Sequence, residues 1–451
     1  MVRKTMAGRW YMALLMLAFV AALGVFAAGC GGGGSSSAGE TTQSEEPAEE
    51  TGAAGEAEEG EAEEGETKEA STGSTEVDAA TEKLMSQAIG VPYEEGQFEE
   101  VGIEAFNHAA ESLELTPEQE ELAFECWSKS SCTLGSGDVT LGVADGFGGN
   151  TWRKMTKMEA ILQAMTYPEI GKYIYLDAEG DLAKMQANIR SLSAQGAQVI
   201  LTYDDFGTAV VPAFQAAQRA GAVISNYVGP VEGASTDALT SQVVVEWCGT
   251  GKTMADTAAK ILGEKVSIAL FGGPPGNPEG EVWWGCAEEE LSEKYPEMSV
   301  SYKGDTEWTP ASAAKAASAA IASGKPIEAI LYDYAEPSIN IIEAYEKAGK
   351  TPPAIVAVNQ SNGLVKNWSE RQGTKNAYEL NQTSSLAYAS RISLTAMMRK
   401  MNEEEVPEEI DLPVVFVPAE KSQYEKGKPG SFPGPTVLVP SSLVEKMLAA
   451  G

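Results

Sequence analysis

Apolar strand-like runs alternate with helical patterns through most of the chain, and this alternation is the strongest constraint on its fold. The first series begins at residue 138 with VTLGVA and continues through KYIYLD, QVILTY and AVISNYV, separated by segments with apolar residues at helical spacing. A second series contains VSIALFGG, MSVSYKG, EAILYD and AIVAVN. Strands that alternate with helices form parallel sheets covered on both faces. The sequence therefore predicts an α/β protein with two similar lobes.

A helical extension is expected before the first lobe, over residues 77–137. The segments VDAATEKLMSQAI, GIEAFNHAAESL and TPEQEELAF carry apolar residues at helical spacing. Thr116 and Pro117 supply an N-cap and a first-turn proline for the last of them. His108 is the only histidine of the chain, and we interpret it as an ordinary surface or packing residue.

The chain begins with a targeting segment over residues 1–29. Arg3, Lys4 and Arg9 precede the apolar run YMALLMLAFVAALGVFAA, and small residues follow it before Cys30. This pattern is typical of an export signal. The sequence AAGC resembles a bacterial lipoprotein processing site, which implies lipidation of Cys30 and attachment to the outer face of the cell membrane. An uncleaved anchor helix is the alternative, although the run is at the short end for a membrane span.

An acidic low-complexity segment follows over residues 30–76. Residues 31–76 hold 14 Glu against one Lys and contain no aromatic or large aliphatic residue. Such a segment cannot bury enough apolar surface to fold, and repulsion between its carboxylates extends it. We interpret it as a tether between the membrane and the folded domains.

Four cysteines remain besides the one expected to carry lipid, and an even number outside the cytoplasm predicts two disulfides. Proximity in CWSKSSC pairs Cys126 with Cys132 and leaves Cys248 with Cys286, although three pairings are open on sequence alone. There is no C-x-x-C motif, and neither a metal site nor a cofactor is expected.

Several functions are disfavoured by charge and motif. A formal net charge of −34 argues against nucleic acid and against electrostatic binding to anionic lipid. The loop GFGGNTW fails the dinucleotide pattern at Thr151, and EWCGTGKT fails the phosphate-loop pattern at Glu246. The chain contains neither G-x-S-x-G nor H-E-x-x-H. A glycosidase with two carboxylates is open by residue type, but no pair is singled out, and we expect no enzyme activity.

One stretch resembles a known family. The run NIRSLSAQGAQVILTYDDFGTAVVPAFQAAQRAGAVISN is similar to the first lobe of the ribose- and galactose-type periplasmic binding proteins. AILYDYAEPSINIIEAYEKAG, followed by AIVAVNQSNG, resembles their second lobe. The resemblance covers about residues 138–420 and implies two Rossmann-like lobes with parallel sheets, joined by a three-segment hinge. We expect a first lobe of residues 138–245 and 383–405, and a second of residues 246–382 and 406–451.

The family resemblance also implies a sugar or polyol held between the lobes and delivery to an ABC permease. The alternative is an ectodomain of the same fold that senses a ligand or binds a partner. An amino sugar or a nucleoside remains open as the ligand. We expect the chain to act as a monomer without nucleic acid.

Candidate ligand-binding residues are polar and aromatic groups near the carboxyl ends of the strands, where α/β sheets bind ligands. An aromatic ring suits the apolar face of a sugar, and planar polar groups suit its hydroxyls. The resemblance implies a stacking aromatic at Trp152. Position near a strand end selects Asp145, Trp152, Arg153, Asp204, Asp205 and Asn226. The resemblance implies the others, by their match to family positions at the crossover, in the cleft or near the hinge: Trp247, Trp308, Asp333, Asn359 and Gln382. The alternative for each is a loop or capping role, for example Asp204 and Asp205 at the next helix.

Overall fold

The computed structural model describes residues 77–450. The signal segment, Cys30 and the tether expected over residues 1–76 lie outside the described residues. In the described part, the strands are β1 Ser131–Thr133, β2 Val139–Asp145, β3 Ile170–Asp177, β4 Val199–Tyr203, β5 Val223–Val228, β6 Ser241–Val245, β7 Ser267–Gly272, β8 Ser299–Asp305, β9 Ala329–Tyr332, β10 Ala354–Ala357, β11 Leu380–Gln382, β12 Glu409–Leu412 and β13 Val417–Pro418. The α-helices are α1 Ala79–Ile89, α2 Glu100–Glu111, α3 Pro117–Ser128, α4 Thr151–Ala164, α5 Leu182–Ala194, α6 Val211–Arg219, α7 Trp247–Leu262, α8 Pro278–Lys294, α9 Pro310–Ala322, α10 Ser338–Lys347, α11 Asn362–Arg371, α12 Ala389–Met401 and α13 Ser441–Ala450.

The N-terminal extension forms α1, α2 and α3 and packs on the first lobe. Helix α3 begins at Thr116, whose side chain accepts a hydrogen bond from the Gln119 N–H, while the Gln119 side chain accepts one from the Thr116 N–H. This reciprocal capping box satisfies two free donors at the start of the helix. Phe98 and Phe106 pack against Tyr388, just before α12, so the extension shares its core with the lobe.

Two sheets of mostly parallel strands confirm the predicted two-lobe α/β architecture. The first sheet has the order β1-β3-β2-β4-β5-β6-β12, and only β1 is antiparallel to its neighbour. The second has the order β13-β11-β10-β9-β7-β8, and only β13 is antiparallel. Strands β4, β9 and β10 are buried along their whole length, which explains their continuous apolar runs.

In the described residues, the chain passes between the lobes four times rather than three. It crosses from β6 to α7, from β11 to α12 and from β12 to β13, and it returns after β13 to place α13 against α3. Strand β12 pairs with β6 in the first sheet, although the sequence analysis assigned residues 406–451 to the second lobe. Alternating apolar residues form a strand but do not specify which of two sheets it joins.

Polar contacts fix the fourth crossing to both lobes, and those with the first lobe are buried. On the second-lobe side, the side chain of Asn362 in α11 donates to the carbonyls of Glu425, Lys428 and Pro429 in the crossing segment. Further on, the Leu438 N–H donates to Glu159 at 2.7 Å and the Leu438 carbonyl accepts from Arg391 at 3.2 Å. Glu159 and Arg391 are themselves a buried ion pair between α4 and α12. The last segment therefore spans the two lobes.

The disulfides are Cys126–Cys132, between α3 and β1, and Cys248–Cys286, between α7 and α8. They have the pairing that the sequence analysis favoured. None of the helices within residues 77–450 combines the length and apolar character needed to cross a bilayer.

Candidate functional site

A cavity lies between the lobes at the carboxyl ends of the strands, the usual ligand position in α/β sheets. The volume inside it that the centre of a water molecule can occupy is about 40 Å³. Six of the predicted site residues line it: Trp152, Arg153, Trp247, Trp308, Asp333 and Asn359. The other lining residues are Asn150, Tyr203, Val228, Glu279, Tyr334, Val358 and Leu386. Aromatic rings and polar side chains from both lobes therefore face one small space.

Arg153 is held by two carboxylates at the first-lobe side of the cavity. Its Nη1 lies 2.7 Å from Asp145 Oδ1 and its Nη2 lies 2.7 Å from Asp205 Oδ1. The guanidinium carbon is 3.1 Å from the centre of the Tyr203 ring. Burial lowers the pKa of Arg153, but Asp205 and Asp145 outweigh this effect and raise it. The positive charge of Arg153 is thus neutralised within the protein.

The same buried surroundings shift the pKa values of Asp145 and Asp205, the two carboxyl groups that bind Arg153. Burial raises the pKa of Asp145, and the Arg153 charge opposes the rise. Burial likewise raises the pKa of Asp205 to about 6 against the effect of Arg153. Tyr175 donates a further hydrogen bond to Asp145 at 3.1 Å. Neither Asp145 nor Asp205 lines the cavity, and both hold Arg153, which does, in position through ion pairs.

Trp152 occupies the first turn of α4, next to the hinge. The side chain of the N-cap residue, Asn150, accepts a hydrogen bond from the Arg153 N–H at 2.9 Å, which fixes the start of the helix. The Trp152 indole N–H donates to the Ser385 carbonyl in the second crossing. Its ring meets Tyr203 edge-on, with 5.4 Å between ring centres. The indole N–H is therefore engaged by the hinge, and the ring contributes to the cavity wall.

Asp333 organises two tryptophans on the second-lobe side. Its Oδ1 accepts from the Trp308 indole at 2.9 Å and its Oδ2 accepts from the Trp283 indole at 3.1 Å. Burial raises the pKa of Asp333 to about 7, although both indole hydrogen bonds oppose the rise. A Cβ atom at Gly273 would lie 2.3 Å from the Trp308 ring. The absence of a side chain at Gly273 thus makes room for the indole.

Glu279 is a cavity residue that the sequence analysis did not select. It lies in the first turn of α8, where the Asn277 side chain accepts from its N–H at 3.0 Å. Tyr203 donates to Glu279 Oε1 at 2.8 Å. Burial raises the pKa of Glu279 to about 8, and Asp205 contributes to the rise. A Cβ atom at Gly229 would lie 2.4 Å from Oε1, so this carboxylate occupies space that only a glycine leaves free.

Two buried polar atoms of the cavity wall have no hydrogen-bond partner within residues 77–450. They are Nε1 of Trp247 and Oδ1 of Asn359. Trp247 is 5% exposed and Asn359 is 8% exposed. A buried polar group without a partner is costly. A ligand with both a hydrogen-bond acceptor and a donor would satisfy the two atoms.

Besides Asp145 and Asp205, three more predicted site residues lie outside the cavity wall and have structural contacts. Asp204 Oδ1 accepts from the Phe206 N–H at 2.9 Å, a turn that leads into a 3₁₀ helix at Gly207–Val210. Asn226 Oδ1 accepts from Thr202 Oγ1 and from the Asp204 N–H. Gln382, the last residue of β11, donates at 3.1 Å to Gln423 in the 3₁₀ helix Lys421–Gln423 that follows β13. For Asp204, this contact is a loop role rather than a helix cap, because the N-cap residue of the 3₁₀ helix is Phe206 and no side chain caps it.

The sequence indicates three of the unpredicted cavity residues, Tyr203, Tyr334 and Glu279, to different degrees. Tyr203 and Tyr334 directly adjoin predicted site residues at strand ends, so the same strand-end argument applies to them. Glu279 gives a weaker signal because an acidic residue in the first turn of a helix is common for electrostatic reasons. In the part of the chain that the structure describes, no group of three or more potential ligands has the arrangement of a metal site.

Several solved structures share this fold. A solute-binding protein of an ABC transporter from Actinobacillus succinogenes, solved with D-allose, matches with a TM-score of 0.54 and 19% identity, over 64% of this chain and 99% of that one. The binding protein of the arabinose ABC transporter from Shewanella sp. ANA-3 matches with a TM-score of 0.58 and 16% identity, over 64% and 95%. A fructose-binding periplasmic domain of a hybrid two-component system matches with a TM-score of 0.55 and 16% identity, over 62% and 90%.

The sequence itself also places the chain in a family. No curated protein matches it. The family model described as a periplasmic binding protein domain matches residues 142–400, which include most of both sheets and the site between them. With the two-lobe fold and the interlobe cavity, this match shows that the chain belongs to the periplasmic binding protein family.

Proposed function

We propose that this chain is an extracytoplasmic solute-binding lipoprotein that captures a sugar or a related small polar ligand and delivers it to an ABC importer. The observation that carries the proposal is the interlobe cavity, which combines tryptophan rings with an unpartnered donor on Trp247 and an unpartnered acceptor on Asn359. Apolar ring faces and paired polar groups are what a hydroxylated ring requires. The sugar-binding proteins of similar fold support this ligand class.

Capture would proceed by closure of the lobes around the ligand. Trp152 belongs to the first lobe, while Trp247 and Trp308 belong to the second, so a ligand between them contacts both halves. Binding energy from both sides stabilises the closed form only if the ligand contacts it better than the open form. The closed form then presents one surface to the permease. The ligand leaves chemically unchanged, and the protein acts as a monomer.

Membrane attachment completes the proposal. A lipid on Cys30 would hold the protein at the outer face of the cell membrane, and the acidic segment over residues 30–76 would give it reach. Repulsion among the 14 glutamates of residues 31–76 favours an extended tether. Conversion of Cys30 to Ser is expected to release the protein from the membrane fraction, and membrane retention of this variant would contradict the lipid anchor.

A second candidate function is ligand sensing. The similarity to the periplasmic domain of a hybrid two-component system favours it specifically, because that domain has the same fold in a signalling protein. Deletion of the gene separates the two candidates. Loss of uptake of the radiolabelled ligand supports transport, whereas normal uptake with a lost transcriptional response supports sensing.

Thermal unfolding of the purified full chain against sugars, polyols, nucleosides and amino acids tests the binding function. A ligand at a hundred times its dissociation constant adds about 2.7 kcal/mol to the free energy of unfolding. We expect a stabilising shift from one class of hydroxylated compounds. The absence of any shift, in protein first unfolded and refolded to remove carried ligand, would contradict the proposed function.

A further inference from the structure

We infer that the ligand of the interlobe cavity is a hydroxylated organic ammonium, such as an amino sugar, and that Glu279 is its counter-ion. This inference rests on the proposed function, because it concerns the ligand class of the same cavity. It follows from the balance of charge in the wall, from the aromatic surround and from the two unpartnered polar atoms.

Within residues 77–450, two carboxyl groups of the wall have no cation beside them. Arg153 is the only Lys, Arg or His among the described residues that line the cavity, and it already binds Asp145 and Asp205. Glu279 and Asp333 also line the cavity. Their side-chain partners are the Tyr203 hydroxyl and two indole N–H groups, which carry no charge. A ligand that supplies a positive charge would complete the balance.

The two carboxylates are not equivalent. Asp333 uses one oxygen for each of two indoles, so both of its oxygens are engaged in holding tryptophan rings. Glu279 receives one side-chain hydrogen bond, from Tyr203 to Oε1. Charge-assisted hydrogen bonds between an ammonium and a carboxylate are about twice as strong as neutral ones. Glu279 is therefore the carboxylate best suited to bind an ammonium group.

The aromatic rings of the cavity wall also favour a ligand with a positive charge. Trp152 and Tyr203 line the cavity, but their rings already lie beside the Arg153 guanidinium. Trp247, Trp308 and Tyr334 complete the aromatic lining. The faces of such rings are the negative ends of a quadrupole and attract a cation within about 6 Å of the ring centre. Rings also exclude water, which strengthens the attraction between an ammonium and Glu279. A neutral hydroxyl in the same place would gain less from either effect.

The unpartnered atoms require more than a bare cation. The Trp247 N–H needs an acceptor, and Asn359 Oδ1 needs a donor. A hydroxyl can serve as either, and an ammonium is a donor only. A molecule with one amine and several hydroxyls therefore fits the wall better than a simple alkylammonium or a neutral sugar.

Calorimetric titration of the full chain at pH 7 tests the inference with matched probes: glucose, galactose and mannose, the 2-amino derivative of each, and its N-acetylated form. The amine differs from its parent sugar mainly in charge, because an ammonium replaces one hydroxyl, while the N-acetyl form is a neutral but bulkier second comparison. We expect at least one amine to bind about tenfold or more tighter than its neutral counterparts. Equal or tighter binding of the neutral sugars would overturn the inference and leave the proposed function supported. Failure of every probe to bind would contradict both.

Two variants, Glu279→Gln and Trp247→Phe, and one control test which residues of the wall account for the preference for an amine. Glu279→Gln keeps the shape and removes the charge, and it is expected to lower amine affinity about 30-fold and neutral-sugar affinity no more than about threefold. Glu281→Gln is the matched control, because Glu281 is exposed in the same helical turn. Trp247→Phe removes the free N–H and should weaken amine and neutral probes alike. Loss of amine preference in Glu281→Gln, or its retention in Glu279→Gln, would overturn the assignment.

Discussion

Arg153 in the first turn of α4 and Asp145 at the end of β2 form a buried ion pair, with 2.7 Å between Nη1 and Oδ1. Both residues were expected to contact ligand. They contact each other, Asp205 binds the second guanidinium nitrogen, and Arg153 but not Asp145 lines the cavity. The pair fixes the first-lobe wall of the cavity. Breaking it leaves buried carboxylates without their counter-ion, which is more costly than losing an exposed pair.

Substitution Arg153→Met is therefore expected to lower the free energy of unfolding by about 3–5 kcal/mol at pH 7. Urea denaturation followed by circular dichroism measures the change. Arg190→Met on α5 is the control, since Arg190 is exposed, and it should change stability by no more than about 0.5 kcal/mol. Similar losses in the two variants would show that the ion pair does not stabilise this wall.

Asp333→Asn tests the role of Asp333 in holding two tryptophans. An amide offers one oxygen, so its NH₂ group must face the indole N–H of either Trp283 or Trp308. We expect a loss of about 1–3 kcal/mol from the unsatisfied donors, together with weaker ligand binding. Asp305→Asn, at the exposed end of β8, is the matched control. Unchanged stability and affinity in Asp333→Asn would contradict the role assigned to this carboxylate.

Asp204 contributes stability that is expected to fall as pH rises. Burial raises the pKa of Asp204 to about 8, whereas an unfolded Asp titrates near 3.9. The folded state thus retains a proton that the unfolded state releases, so the contribution is full below about pH 4 and is lost as pH rises through about 8.

The variant Asp204→Asn should therefore match the wild type near pH 3.5 and exceed its stability at pH 8.5, by on the order of 5 kcal/mol. Urea denaturation at the two pH values measures the difference. Asp237→Asn, at an exposed position, is expected to leave the pH dependence unchanged. A steeper loss of stability at high pH in Asp204→Asn would reverse the sign and refute the assignment.

Binding of a cationic ligand should depend on pH through Glu279. Burial raises the pKa of Glu279 to about 8; Asp205 and Asp333 add to the rise, while Tyr203 and Arg153 oppose it. An ammonium favours the ionised carboxylate, so the protein must release a proton when it binds below pH 8. Affinity for an amino polyol with a lysine-like amine is expected to rise up to about tenfold per pH unit between pH 6 and 8.

Calorimetry at pH 6, 7 and 8 follows this dependence, with Glu279→Gln as the comparison. The variant has no carboxyl to titrate at this position and should show a nearly flat profile. A flat profile in the wild type, or one that falls with pH, would mean that Glu279 does not act as the counter-ion.

The alternation of strands and helices predicted the two lobes because both periodicities are local properties of the chain. A strand-end position and the family resemblance together predicted Trp152, whereas Trp247 and Trp308 were predicted from the resemblance, by their match to positions at the lobe crossover and facing the cleft. The binding of Arg153 by Asp145 and Asp205 was not predictable, since it depends on how β2 and β4 lie side by side in the sheet. Glu279 was missed because an acid in a first helical turn has an ordinary explanation.

Calorimetric titration of the best-bound hydroxylated ligand into the wild type and into Trp152→Ala tests the central claim, that a small polar solute binds between the lobes. Trp368→Ala is the control, because Trp368 packs in the second lobe and does not line the cavity. The account predicts one site per chain, at least about tenfold weaker binding in Trp152→Ala and unchanged binding in Trp368→Ala. Unchanged affinity in correctly folded Trp152→Ala would place the ligand elsewhere and contradict the account.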